Sequence, residues 1–337
     1  MKKQTKLVAV LSTAALLAIG ASMTSFAATG WAEEDGTWVY YDRNGDKVTD
    51  KWAKSGNNWY YLDSNGEMAV DQLIEDGDNY YYVDVNGVMA ANQWVAIDNE
   101  DAGDDDEPEH YWYYFQANGK ALKQGDSDTV SLKTVNGKKY AFDEYGAMVA
   151  EWSLDEDDEK KASDTEAQEA ASTASTSEAW EGNGKYAKYT QAWKYYNSVE
   201  DGSRVSKGWF KVVPAEMLNK EKYDDDEESW YYADGSGNLY AGEFKTIKGK
   251  KYAFRNDGRM LTGLKFIKEG DEDFADVKAD DDDNRPFDNE DDFFDNAIEF
   301  YEPNGYKCYY FGGGDDGAMR TGKTTINYDG ENTSFYF

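Results

Sequence analysis

Aromatic rings are the groups in this sequence best placed to do chemistry. Trp59-Tyr60-Tyr61, Tyr80-Tyr81-Tyr82, Trp112-Tyr113-Tyr114 and Trp230-Tyr231-Tyr232 form triplets, each followed by a Gly and often by a Met two positions beyond it. Tyr and Trp combine a large apolar face with a polar edge that wants water or a partner. The chemistry this offers is recognition by contact. Catalytic groups are scarce. His110 is the single histidine and follows an acidic stretch, which reads as a strand start. Cys308, the single cysteine, fills the slot that Trp takes in other triplets and reads as a packed thiol. A Cys–His hydrolase pair has no local signature behind it. The acidic runs from Asp104 to Glu107, Asp224 to Glu228 and Asp280 to Asp283 could collect Ca²⁺, yet none has the spacing and Gly of an EF-hand loop. They read as solvated loops. The carboxylates also lack the aromatic and Gly context of a glycosidase cleft. No catalytic residue, metal site or cofactor is therefore expected, and the chain reads as a non-enzyme.

The elements that must position the rings follow from their period. Trp38, Trp59 and Tyr80 are 21 residues apart, as are Gly45, Gly66 and Gly87. A fixed period near twenty means a repeat architecture. Each unit reads as a hairpin: a short segment led by Trp, a turn such as Ser55-Gly56-Asn57-Asn58, an aromatic strand, then a second turn such as Ser64-Asn65-Gly66. Alternation puts Trp59 and Tyr61 on one face and Tyr60 on the other. One hairpin is marginal alone, so the expected fold is all-β, a solenoid of stacked β-hairpin repeats of about 20 residues. Four units carry acidic insertions, all between the leading Trp or Leu and the triplet, where extra loop length costs little. The division expected is repeats over 28–154, a low-complexity insertion rich in acid, Ser, Thr and Ala over 155–185, and repeats over 186–337 with an acidic insertion at 269–299. Within that last insertion Phe274, Phe287, Phe293 and Phe294 could pack as a small subdomain.

Charge and leader narrow the setting. The formal net charge is −33. Such a surface repels nucleic acid and anionic lipid and attracts cations; its simplest role is solubility. Residues 1–27 read as a signal peptide: Lys2, Lys3 and Lys6 precede an apolar run from Leu7 to Ile19, and Ser25-Phe26-Ala27 offers a cleavage site. The apolar run is short for a membrane span. A secreted chain with no membrane attachment after signal cleavage is expected, without a disulfide framework.

The pattern Gly-Trp, Gly, Trp-Tyr-Tyr, Gly, Met, seen best from Trp52 to Met68, resembles the cell-wall-binding repeats of Gram-positive surface proteins. These include choline-binding repeats and the related glucan-binding repeats of glucosyltransferases and clostridial toxins. The resemblance implies a secreted, cell-wall-associated protein that binds choline-substituted teichoic acid or glucan-type polysaccharide between successive hairpins. A quaternary ammonium boxed by rings gains about 0.5–2 kcal/mol per favourable contact. Carried over residue by residue, the family's boxes fall at Trp31, Trp38 and Tyr61; at Trp52, Trp59 and Tyr82; at Trp94, Trp112 and Phe142; and at Trp209, Trp230 and Phe254. A fifth would be Trp152, Trp193 and Tyr232, across the long insertion. Units led by Leu73, Leu132, Phe244 and Leu264 should have incomplete boxes. Sugars would stack on the same rings, and an acidic chain is repelled by teichoic phosphates, which favours neutral glycans unless a cationic group intervenes. The alternative is a structural adhesin whose rings are all core and whose acidic insertions meet a host surface partner.

Overall fold

The computed structural model of the chain describes residues 29–99, 102, 108–125, 132–154, 184–278, 302–328 and 331–337. The leader, most of the 155–185 insertion and residues 279–299 of the last one, with Phe287, Phe293 and Phe294, lie outside the described residues. Among the described residues the sheets are nine antiparallel pairs and one three-stranded sheet. The fold is all-β and built from hairpins.

Register holds from unit to unit. Trp31 lies opposite Tyr40, Trp52 opposite Tyr61, Leu73 opposite Tyr82 and Trp94 opposite Tyr114. Insertions leave it intact, because they sit where the hairpin turn would be. Asp98 still pairs with His110, Leu154 with Trp193, Val212 with Ser229 and Lys268 with Tyr306. In the hairpin of Gly263–Glu269 and Tyr306–Phe311, the insertion begins with a third strand, Phe274–Lys278, which pairs on the outer edge of the first. Phe274 is 3% exposed and packs with Ala253, Leu261, Ile267 and Phe311.

Turn chemistry explains part of the acid content. Asp63 Oδ1 accepts the amides of Asn65 and Glu67, both at 2.8 Å, and its carbonyl accepts the amide of Gly66 at 2.9 Å. Asp42, Asp84, Asp143 and Asp234 each hold two amides in the same way. These carboxylates are local turn formers, so they are more than a solubilising coat. A second local rule precedes the leading strands: Asp50, Asp71 and Asn92 have φ of 48°, 48° and 54°. Asx side chains tolerate this left-handed conformation.

Successive hairpins are joined by backbone as well as by rings. The amide of Met68 donates to the carbonyl of Trp38 at 2.7 Å, Met89 to Trp59 at 2.9 Å and Met260 to Trp230 at 2.8 Å. The Gly of the triplet's turn accommodates the Met of the preceding hairpin. Gly87 has φ +73°, and a Cβ there would lie 2.9 Å from Met68 Cε. That is why Gly and Met recur together.

The described residues divide into two compact units, one holding those up to 125 with 132–136 and 140–149, the other those of 137–139 and of 150–337. The second contains two helices that the repeat pattern does not predict: α1, Lys185–Ala192, and α2, Lys220–Asp224. Helix α1 therefore begins where the low-complexity insertion was expected to end, and it buries Tyr186, Tyr189 and Thr190. Helix α2 starts at Asn219, whose Oδ1 accepts the Lys222 amide at 3.0 Å. Two of the five acids in the run from Asp224 to Glu228 are ion-paired here: Asp224 with Lys220 at 3.0 Å and Glu227 with Lys222.

Candidate functional site

Alternation along each strand gives a hairpin two different faces. Trp31, Trp38 and Tyr40 share one; Val39 lies on the other. In the next hairpin the opposite face carries Tyr60. The first kind of face packs on the second, so each leading Trp meets one ring of its own hairpin and one of the next. Trp31 lies 5.3 Å from Tyr40 and 5.2 Å from Tyr60. Trp52 lies 5.1 Å from Tyr61 and 5.0 Å from Tyr81. Trp94 lies 5.2 Å from Tyr114 and 4.9 Å from Tyr140. Trp152 lies 5.1 Å from both Tyr195 and Tyr231. Trp209 lies 5.1 Å from Tyr232 and 4.9 Å from Tyr252. These are edge-on or tilted ring pairs within the favourable separation range.

In the boxes of Trp31 and Trp52 the third ring thus differs from the one the resemblance supplied. Tyr60 stands beside Trp31 where Tyr61 was expected, and Tyr81 beside Trp52 where Tyr82 was expected. Tyr61 and Tyr82 point the other way, onward to the following gap, and the Tyr82 hydroxyl donates to Asp71. Phe142 and Phe254 do contact Trp94 and Trp209, at 5.8 and 5.7 Å, but they are 1% and 0% exposed. Their bridges to Met148 and Met260 put them at the position of Leu62, which bridges Met68. They are the floor of the gap; Tyr140 and Tyr252 are its wall. In the two Tyr-Ala-Phe units the aromatic triplet is offset by one residue from that of the Trp-Tyr-Tyr units.

Trp38, Trp59, Trp112 and Trp230 lie on the same face as their leading Trp, two positions along. Trp209 and Trp230 are brought within 6.4 Å, nearly perpendicular. Trp59 is 40% exposed, with Lys54 Nζ 5.6 Å from its ring centroid. The other three are half-buried. Polar edges are handled differently from box to box. Trp52 Nε1 donates to Asp76 Oδ2 at 3.0 Å and Trp230 Nε1 to Asp315 Oδ1 at 2.8 Å. Trp31 Nε1 and Trp112 Nε1 are buried with no hydrogen-bond acceptor among the described residues. The Trp230 and Lys211 hydrogen bonds hold the Asp315 carboxyl below the usual carboxylate range.

The gap at Phe244, where the leading Trp is missing, contains no open box. Phe274 and Tyr309 lie 5.2 and 5.0 Å from the Phe244 ring, and Lys251 Nζ sits 4.4 Å from its centroid. The chain's own ammonium occupies that ring face.

His110 opens its strand and meets Trp112 edge-on at 5.6 Å. Cys308 is half-buried, opposite Phe266, and burial pushes its thiol up to about 12. A thiol so far from ionisation is a poor nucleophile. Among the described residues no group of three His, Cys, Asp or Glu side chains is placed to hold a metal.

The family model of the choline-binding repeat matches residues 28–72 and 48–94. No curated protein matches the chain. Among solved structures, the modular autolysin LytC of Streptococcus pneumoniae, in complex with a synthetic peptidoglycan ligand, is similar at 16% identity over 90% of this chain and 50% of its own, with a TM-score of 0.42. The choline-binding domain of CbpL from the same organism is similar at 21% identity over 75% of this chain and 100% of its own, with a TM-score of 0.39. That of Spr1274, also pneumococcal, is 32% identical over 28% of this chain and 95% of its own, with a TM-score of 0.21. The chain spans about half the length of LytC.

Proposed function

We propose, from the premise that residues 28–94 belong to the choline-binding repeat family, that this protein is a non-catalytic binder of cell-surface polymers and that its ligand is the choline of a substituted teichoic acid. One observation carries the reading: the leading Trp with one Tyr from its own hairpin and one from the next, repeated at nearly constant distances from Trp31 to Trp209. Rings converging on one gap desolvate a quaternary ammonium and present it with several quadrupoles. The Asp76 carboxylate beside Trp52 adds negative charge at the rim. Several weak sites on one chain engaging one polymer raise overall affinity without any new contact.

In this reading the hairpins within each compact unit stack as a β-solenoid, residues 1–27 direct secretion, and the repeats hold the protein to the wall. A glucan is the second reading. The buried indole N–H groups of Trp31 and Trp112 favour a ligand that brings an acceptor, such as a sugar hydroxyl.

The full chain applied to choline resin, to dextran and to purified cell walls tests the proposal. Retention on choline resin with elution by free choline is the expected result. Retention on dextran with none on choline transfers the assignment to glucan. Passage through all three sinks polymer binding and leaves the adhesin reading, with the acidic insertions as its contact surface.

A further inference from the structure

Each leading Trp stands at one corner of a four-residue face. Its cross-strand partner is a Tyr, and two positions along the leading strand another residue faces the triplet Trp. The pairs are Trp31–Tyr40 with Glu33–Trp38, Trp52–Tyr61 with Lys54–Trp59, Trp94–Tyr114 with Ala96–Trp112, and Trp209–Tyr232 with Lys211–Trp230. Rings hold the other corners in each. The fourth corner carries an anion at Glu33, a cation at Lys54 and Lys211, and no charge at Ala96. Alternation keeps it on the ring side of the hairpin, because it is two residues from the leading Trp.

In the N-terminal unit the contrast is between neighbouring hairpins. Lys54 Nζ lies 5.6 Å from the Trp59 ring centroid, so the chain's own ammonium engages a ring that a guest would use. Lys251 does the same at Phe244, at 4.4 Å. On the next hairpin Asp76 accepts Trp52 Nε1 at 3.0 Å, so the rim of the Trp52 box holds one cation and one anion (1 − 1 = 0). At Trp31 the corner is Glu33, and Ser55 takes the place of Asp76 at the end of the next leading strand. Those two positions carry one negative charge and no positive one. Lys211, in the second unit, is neutralised: Asp315 accepts its Nζ at 3.3 Å and Trp230 Nε1 at 2.8 Å. Among the described residues Lys54 forms no ion pair of that kind. Two unit charges about 6 Å apart in water change an affinity by about threefold, and reversing one of them by about tenfold.

Resting on the reading that these ring boxes hold the ligand, we propose that the fourth corner sets the charge each box accepts: Glu33 strengthens the hold of the Trp31 box on a quaternary ammonium, and Lys54 competes with that ammonium in the Trp52 box. Adjacent hairpins with the same ring geometry thereby become a stronger and a weaker choline site. An uncharged guest meets no such opposition from Lys54.

Choline titration of the full chain at low ionic strength, followed site by site through indole N–H signals in NMR spectra, tests it. Trp38→Phe and Trp59→Phe assign the two signals. Dimethylbutanol, the isostere of choline with carbon in place of the cationic nitrogen, is the probe of equal shape without charge. Choline should act at Trp38 with the lower Kd. Lys54→Gln should tighten choline at Trp59 about threefold and Lys54→Glu about tenfold, with Trp38 unchanged. Glu33→Gln should weaken choline at Trp38 about threefold. The Kd of dimethylbutanol should stay the same in every variant, and added salt should shrink the choline differences. Glu33 and Lys54 are both exposed, so these variants keep the fold. A choline Kd at Trp59 that is unchanged or raised in Lys54→Glu, or equal changes for choline and dimethylbutanol, would overturn the assignment and leave choline binding itself standing. Wild-type Trp38 and Trp59 signals that ignore choline would sink the box reading and this assignment together.

Discussion

In the hairpin led by Trp52 the rings of Tyr61 and Tyr81 lie 5.1 and 5.0 Å away; in the hairpin led by Trp152 those of Tyr195 and Tyr231 both lie 5.1 Å away. The ring geometry is the same. Around Trp52 the two Tyr residues remain half-buried and the triplet Trp59 is 40% exposed. Around Trp152 the gap is closed by the protein. Phe210 lies 5.9 Å from the indole, and Trp152 Nε1 donates to Val213 O at 2.7 Å. Tyr231 is fully buried with Tyr186 and Tyr189 of α1 and Leu218 just before α2. An aromatic triad is thus equally good as a ligand box and as a core. What differs is whether neighbouring chain supplies the guest. At Trp152 the space beside the indole is taken by Phe210 of the next leading strand, with Tyr186 and Tyr189 of α1 and Leu218 in the same cluster.

The largest way to break this comparison is to truncate the equivalent ring in each hairpin. Tyr231→Ala should cost about 3–5 kcal/mol, as for a fully buried aromatic. Tyr81→Ala should cost about 1–2 kcal/mol, since part of its surface already meets water. Chemical denaturation of both variants measures the gap, and equal losses would show the two sites to be packed alike.

Next in size is the anchor under the filled region. Burial opposes ionisation of Asp257, but the charges of Arg259 and Arg255 and the hydrogen bonds from Arg259 and Asn219 together hold its carboxyl below the usual range. Its stabilising contribution is therefore complete above the unfolded value, about 3.9, and is lost as pH falls through the lower folded value. Asp257→Ala should cost about 3 kcal/mol at neutral pH, with the difference from wild type narrowing in acid melts. Asp143, in the N-terminal unit, runs the other way. Burial raises its carboxyl despite the amides of Ala147, Tyr145 and Gly146, so its ionised form opposes folding and acid relieves that cost.

Gly87→Ala comes third. It forces a side chain into φ +73° and against Met68, at about 1–3 kcal/mol, and Met68→Ala in the same chain should recover part of the loss. The smallest effect on stability belongs to Trp59→Ala, about 1 kcal/mol or less at an exposed ring. Its effect on choline retention should be much larger than that, and retention unchanged from wild type would remove Trp59 from the site.

Much of the hairpin architecture was legible because it is local. The 21-residue step, turn stretches such as Ser64-Asn65-Gly66 and the period-2 alternation are all properties of short segments. They led to the correct strand pairs even where acidic insertions interrupt them, as between Leu154 and Trp193. The turn at Ser64-Asn65-Gly66 was legible, but the role of Asp63 and its equivalents in accepting two amides each was not, because net charge was read as solubility. Missed altogether were α1 and α2, whose helical stretches lie beside insertions with no apolar period of their own.

Residue spacing by itself therefore determined that the chain is a series of aromatic hairpins with two unlike faces, because a strand's alternation and a turn's side-chain hydrogen bonds need no distant partner. Only the tertiary structure decided which ring crosses to which neighbour, that Phe142 and Phe254 are floor while Tyr140 and Tyr252 are wall, and which gaps stay open. Those outcomes depend on face meeting face across separate hairpins. They also depend on chain that returns from elsewhere, as Tyr189 and Leu218 do, to bury what the repeat alone would leave exposed.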